Sequence, residues 1–170
     1  MSKLVEFGKN GVVITKRTVF VRPTDGMTIT LKPYAPPLAG ETEDDYLKRV
    51  HELTIAKWIR DGKLPPGDYP CVVIEHAEIP TDRSYRNAWT FKDKAFGHDM
   101  AKAKEVHRAK VRHARQPLLE AQDMQFMRAL ETGADTTAIA AEKKRLRDAP
   151  ADPRIDAAKT IEELKAAWPL

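Results

Sequence analysis

The chain has 170 residues, of which 32% are charged and 42% hydrophobic, so it is a globular protein of one domain or two small ones and not a wholly disordered chain. Its single cysteine, Cys71, excludes an intrachain disulfide and a zinc site built from cysteines. The net charge of +4 is unevenly spread, because residues 101–117 hold six Lys or Arg and one Glu. No apolar run is long enough to predict a membrane span or a signal peptide.

The first domain is predicted to be a β-rich module with a proline-rich connector, residues 1–40. The segments 12–15, 17–21 and 27–31 are rich in β-branched and aromatic residues, which favour strands. Asn10-Gly11 and Asp25-Gly26 are dipeptides typical of hairpin turns. Several prolines between residues 33 and 40 predict a connector without regular structure.

The second segment, residues 41–97, is predicted to be one helix followed by an extended stretch. Thr42 is a suitable N-cap, and the acidic residues after it lie where the helix dipole favours negative charge. Asp61-Gly62 predicts the end of the helix. Helical spacing predicts a buried face made of Tyr46, Leu47, Val50, Leu53 and Trp58.

The third segment, residues 98–170, is predicted to be helical, which gives an α+β protein with a C-terminal helical hairpin or bundle. A long helix is expected after Gly97, and Pro117 within it predicts a kink or a fresh helix start. Its apolar residues form a narrow seam: Met100, Ala103, His107, Val111, Ala114, Leu118 and Ala121. Because alanine buries little area, the seam needs a close partner helix, from residues 118–148 or from another subunit.

Local signals then divide the rest of this segment. Gly133 is expected to end one helix, and Asp135 to cap the next. Pro150 is expected to stop that helix. Thr160 and Glu163 have the spacing of a capping box, which predicts a last short helix.

Four basic residues are predicted to lie on one side of the long helix, opposite the seam. They are Lys104, Arg108, Arg112 and Arg115. Like charges four residues apart repel weakly, but they become favourable against an anionic partner, either an acidic protein surface or nucleic acid. Aromatic residues do not interleave with them and no nucleic-acid-binding motif accompanies them, so a solvated or protein-facing surface is favoured.

A second candidate surface is the cluster of Tyr85, Arg86 and Trp89. Arginine stacks on aromatic faces, and Tyr and Trp are common at protein interfaces. The same residues could instead fill the domain core, and the sequence does not decide between the two.

The sequence contains no recognisable catalytic or metal-binding pattern. His107 and His113 are six residues apart and point to different sides of a helix, and the other histidines lie in separate segments. The glycines are isolated, so no phosphate-binding loop is formed, and the paired carboxylates fall in first helical turns. The sequence therefore predicts no catalytic residue, no metal site and no cofactor.

Two stretches resemble small proteins encoded in the tail regions of bacteriophages and prophages. Residues 79–89, Ile-Pro-Thr-Asp-Arg-Ser-Tyr-Arg-Asn-Ala-Trp, are similar to one of their motifs. The stretch from Met127 to Gly133, the group around Leu146-Arg147-Asp148 and the closing Trp168-Pro169 are similar to their C-terminal helical part. The resemblance covers residues 64–170.

This resemblance implies a non-enzymatic virion protein of the tail or tail-fibre region. It would be made in the host cytoplasm, bind other tail or fibre proteins and occur as a homo-oligomer or in several copies. Two alternatives remain: a tail-fibre assembly chaperone that is absent from the finished particle, and a basic nucleic-acid-binding accessory protein. The candidate partner-binding residues are Tyr85, Arg86, Trp89, Lys104, Arg108, Arg112 and Arg115.

Overall fold

The structure, a computed structural model, describes residues 5–6 and 13–170. The chain is of the α+β class, as predicted, and divides into two compact units, Met1–Gly97 and His98–Leu170. Small sheets and one helix form the first unit, while the second unit is helical. The predicted turn at Asn10-Gly11 lies outside the described residues.

The described part of the first unit contains short strands around one long helix. In chain order they are β1 (Val5–Glu6), β2 (Val13–Ile14), β3 (Lys16–Val21), β4 (Thr28–Leu31), α1 (Glu43–Arg60), β5 (Val72–Glu75), β6 (Trp89–Lys92) and β7 (Ala95–His98). β1 pairs with β2, β6 pairs with β7, and the antiparallel sheet β4-β3-β5 has β3 at its centre. The predicted turn at Asp25-Gly26 joins β3 to β4, with Gly26 at φ 66°.

Both faces of the β4-β3-β5 sheet are covered by other parts of the first unit. Neighbouring residues of β3 point to opposite faces of the sheet. Phe20 packs with Ile29 and with Ile55 of α1. Val19 packs on the other side with Ile74 and with Trp89 of β6. The central strand is therefore buried on both faces, which explains its continuous run of apolar and β-branched residues.

Helix α1 begins and ends where the sequence predicts. The Thr42 hydroxyl accepts a hydrogen bond from the Asp45 N–H at 3.2 Å, and the helix ends at Asp61. The predicted buried face was wrong at one position: Leu53 is exposed, and the face turns instead toward His51 and Ile55. Leu53 lies just beyond the edge of the buried face of α1.

The β-rich module predicted at residues 1–40 and the helix that follows it fill one core. Ile14 of β2 is buried in the same cluster as Tyr46, Leu47 and Val50 of α1. The Glu43 carboxylate, in the first turn of α1, accepts hydrogen bonds from the backbone N–H groups of Thr15 and Lys16 at 2.7 and 2.8 Å. Apolar and polar contacts thus join the two segments within the first unit.

The second unit is built on one continuous helix, α2 (Met100–Thr132). Asp99 caps it, just after the predicted start at Gly97, and Gly133 ends it in the left-handed conformation at φ 68°, as predicted. A fresh helix start does not occur at Pro117, because α2 runs through this residue. Proline leaves one backbone carbonyl without its helical donor, and the remaining turns on either side are enough to keep the helix continuous.

The rest of the second unit packs against α2. It comprises α3 (Thr137–Asp148), a 3-10 turn (Ala149–Ala151), α4 (Pro153–Ala157) and α5 (Ile161–Ala166). The seam meets these elements with Ala103, His107 and Val111, which are buried. Leu118, predicted to extend the seam, is exposed. The seam thus finds its partner within the chain, but only along the first part of α2.

The short helices use the predicted caps with small differences. Thr160 accepts a hydrogen bond from the Glu163 N–H at 3.1 Å, while the Glu163 carboxylate accepts from the Lys159 N–H at 2.7 Å. Asp135 accepts from the Thr137 N–H at 2.9 Å, one residue before the assigned N-cap of α3. Pro150 lies buried in the 3-10 turn that follows α3.

Candidate functional site

Lys104, Arg108 and Arg115 lie beside the seam, so the prediction that they lie opposite it was wrong; only Arg112 is on the far side of α2. At 100° per residue, Lys104 is about 60° from His107 around the helix axis, well short of the opposite side. Lys104 donates a hydrogen bond to the Asp156 carbonyl at 2.7 Å. Arg108 forms an ion pair with the Asp156 carboxylate. Both therefore hold the end of α4 against α2.

Arg115 has a similar role about two turns further along. Its guanidinium donates hydrogen bonds to the carbonyls of Leu146, at 3.1 Å, and Arg147. These carbonyls lie in the last turn of α3, where carbonyl groups lack helical donors and the helix dipole favours a positive charge. Arg112, by contrast, is exposed. Most of the predicted basic face thus belongs to the internal architecture of the second unit.

The aromatic cluster of the first unit is part of the core. Tyr85 and Trp89 are both buried, which removes them as a docking surface, while Arg86 is exposed. The expected stacking of an arginine on Trp89 does occur, but the arginine is Arg83, whose guanidinium carbon is 5.9 Å from the indole centroid. The Trp89 carbonyl accepts a hydrogen bond from the buried Thr28 hydroxyl at 3.1 Å, which ties β6 to β4.

Two groups with shifted pKa values are explained by burial. Burial lowers the pKa of His107, and the neighbouring charges of Lys110 and Arg108 lower it further, against a hydrogen bond with the Ala167 backbone. Burial likewise raises the pKa of the Cys71 thiol, which makes it a poor nucleophile.

Residues 5–6 and 13–170 contain no group of three side chains placed to bind a metal ion. In the same residues, no helix combines the length and the apolar character that crossing a bilayer requires.

The distal part of the hairpin formed by α2 and α3 lacks a core of its own. No side chain between residues 112 and 145 is fully buried. Phe126 and Ile139 are only partly covered. Lys143 holds the two helices together, with its ammonium 4.7 Å from the Phe126 ring centroid and 2.6 Å from the Asp123 carboxylate. This part of the hairpin is therefore stabilised by few apolar contacts.

Large apolar side chains of the same region face solvent. Met124, Met127 and Leu130 are 59%, 57% and 54% exposed, and their spacing of three places them along one side of α2. We call these three residues the Met-Leu stripe. Glu120 and Glu131 lie on the same side of the helix, so the stripe is bordered by negative charge.

The Met-Leu stripe was not predicted from the sequence. The spacing of Met124, Met127 and Leu130 was the available signal, but spacing alone does not show which side of α2 is covered. Only the position of α3 shows which of these apolar residues are covered. Of the predicted partner-binding residues, the structure leaves Arg86 and Arg112 exposed; Arg112 belongs to the same unit as the stripe, and Arg86 belongs to the first unit.

The chain matches no protein-family model, no curated protein and no solved structure.

Proposed function

We propose that the protein is a non-enzymatic structural or accessory protein of a bacteriophage tail or tail-fibre region, and that it acts by docking to protein. The phage part of this proposal depends on the resemblance of residues 79–89 and of the C-terminal helices to proteins of tail regions. The docking part depends on one observation, the exposure of the Met-Leu stripe on the distal hairpin.

The stripe favours docking for two physical reasons. Methionine is flexible and polarizable, so neighbouring methionines on an exposed helix suit contacts with another protein surface. Covering the stripe would also bury apolar area, at about 25 cal/mol per Å², in the part of the hairpin that has no core. A partner would therefore stabilise the distal hairpin as well as bind to it.

The contacts of the basic residues favour protein docking over nucleic-acid binding. Lys104, Arg108 and Arg115 are engaged with Asp156 and with the end of α3. A phosphate backbone would have to compete with these contacts. The net positive charge of residues 101–117 thus has an explanation within the chain.

The proposal is tested by mass spectrometry of purified particles of the phage that encodes the chain. We expect the protein at a constant ratio to tail proteins, and a reduced ratio when Met127→Glu is introduced into the phage gene. Gln125→Glu is the matched control, because it adds the same charge on the opposite side of α2. Absence from particles together with abundance in infected cells would replace this proposal with the assembly-chaperone function.

A further inference from the structure

We propose that the Met-Leu stripe binds a second copy of the chain, so that two α2–α3 hairpins form an antiparallel four-helix bundle. This inference rests on the proposed docking function and names the partner of the same surface. It concerns only the distal hairpin, residues 116–148.

The distal hairpin lacks a buried core. In an isolated pair of helices, each helix buries only the side that faces the other helix. In this hairpin, no side chain between residues 112 and 145 is fully buried. In a four-helix bundle each helix has two neighbours, so a second apolar side becomes covered. The Met-Leu stripe supplies that second side on α2.

The two helices of the hairpin carry opposite net charges. Residues 116–132 of α2 hold three acidic residues and one basic residue, a net charge of −2: Glu120, Asp123, Glu131 and Arg128. α3 holds four basic and two acidic residues, a net charge of +2: Lys143, Lys144, Arg145, Arg147, Glu142 and Asp148. Lys143 and Asp123 pair with each other within the hairpin, and the charges that remain are −1 on this part of α2 and +1 on α3. The hairpin therefore carries both halves of a complementary surface.

This charge pattern selects a second copy arranged about a twofold axis. In such a pair, α2 of one copy lies beside α3 of its partner, and the same contact is made twice. Opposite charges then meet at both contacts, whereas an arrangement with α2 beside α2 would bring acidic residues together. A hairpin with this pattern is self-complementary.

The size of the surface sets the expected affinity. Residues 116–132 extend about 25 Å along the helix axis, and two helices side by side are about 20 Å wide, which gives a flat area on the order of 500 Å². This is below the roughly 600–1,000 Å² per partner that stable interfaces bury, and falls in the range of weak, transient ones. We therefore expect a dimer that dissociates in the micromolar range.

The test is sedimentation equilibrium of the full chain from about 1 to 100 μM, with protection from hydrogen–deuterium exchange measured at both ends of that range. We expect a mass that rises to twice the monomer mass, and slower exchange of residues 116–132 at the higher concentration. Met127→Glu should weaken dimerisation at least about tenfold, and Gln125→Glu should leave it unchanged. Far-UV circular dichroism of both variants separates loss of dimerisation from loss of folding.

Charge reversal provides a second readout. Lys144 is 81% exposed, and Lys144→Glu should weaken the dimer several-fold at low salt and less at high salt. Lys159→Glu is the matched control, because it makes the same charge change at an exposed position outside the hairpin. Equal effects of the two reversals would overturn the charge argument.

A chain that stays monomeric over the whole concentration range would overturn the inference. Protection of the Met-Leu stripe from exchange in the monomer would also overturn it. A monomer that still enters tails would leave the proposed function standing. A dimer that never associates with tails or particles would instead leave this inference standing and remove the proposed function.

Discussion

His107 of α2 lies edge-on to the indole of Trp168, with ring centroids 5.4 Å apart and ring planes at 88°. This contact joins the seam of the long helix to the residues that follow α5. His107 is buried, so a positive charge on its ring would be poorly solvated. The packing of the C-terminal segment therefore depends on the protonation state of one histidine.

Acidification should destabilise the second unit. Burial lowers the pKa of His107 below its ordinary value of 6.5, so the unfolded chain binds the proton more readily than the folded chain. The contribution of the neutral His107 ring to the free energy of unfolding is fully present above pH 6.5. It is lost as the pH falls from 6.5 toward the lowered pKa. The protection factors of residues 161–170 in hydrogen–deuterium exchange, corrected for the fall of the intrinsic exchange rate with pH, should decrease in this interval.

Two leucine variants check the cause of this pH dependence. His107→Leu should remove this decrease in protection between pH 6.5 and the lowered pKa, whereas His113→Leu, at an exposed position of the same helix, should retain it. An unchanged pH dependence in His107→Leu would assign the effect to another group.

Arg115→Ala should lower the free energy of unfolding of the second unit by about 1–2 kcal/mol, because two carbonyls in the last turn of α3 lose a charged donor. Arg112→Ala, at the exposed neighbour, should change it by less than about 0.5 kcal/mol. Urea unfolding followed by far-UV circular dichroism measures both values. Equal effects would mean that Arg115 is not a structural residue.

Thr28→Val should destabilise the first unit by about 1–2 kcal/mol. The substitution keeps the shape of the side chain but removes the hydroxyl that donates to the Trp89 carbonyl, so a buried acceptor loses its donor. Thr30→Val, at a less buried position of the same strand, is the control. The urea midpoints of the two variants should differ, and identical midpoints would show that this hydrogen bond contributes little.

Lys94→Gly should stabilise the first unit by up to about 1 kcal/mol. Asp93 and Lys94 form the two-residue turn between β6 and β7, and both have positive φ, at 51° and 62°. Such turns favour glycine, because a side chain strains the left-handed conformation. Lys92→Gly, within β6, should instead lower the midpoint of thermal unfolding. A lower midpoint for Lys94→Gly would show that the lysine makes a compensating contact.

Signals contained within a few residues predicted the fold well. Thr42, Gly133 and Thr160 mark helix ends because a cap depends only on adjacent backbone groups. The β6–β7 hairpin was not identified, since its turn contains no glycine. Pro117 was misleading because a local penalty does not show how strongly the rest of a helix is held in place.

Residues that act across long separations could not be assigned from the sequence. Helical spacing put Arg108 on the long helix, but nothing near it indicated that Asp156, 48 residues away, would be its partner. Tyr85 and Trp89 fit a core and an interface equally well until their burial was known. The Met-Leu stripe became visible only as the apolar residues that α3 leaves uncovered.

The central claim is that the Met-Leu stripe docks a second copy of the chain, and site-specific photo-crosslinking tests it most directly. A photo-reactive amino acid is placed at Met127, or at Gln125 on the opposite side of α2, in the full chain. The account predicts an adduct of twice the chain mass from position 127 and little from position 125. No adduct from position 127, or equal yields from both positions, would contradict it.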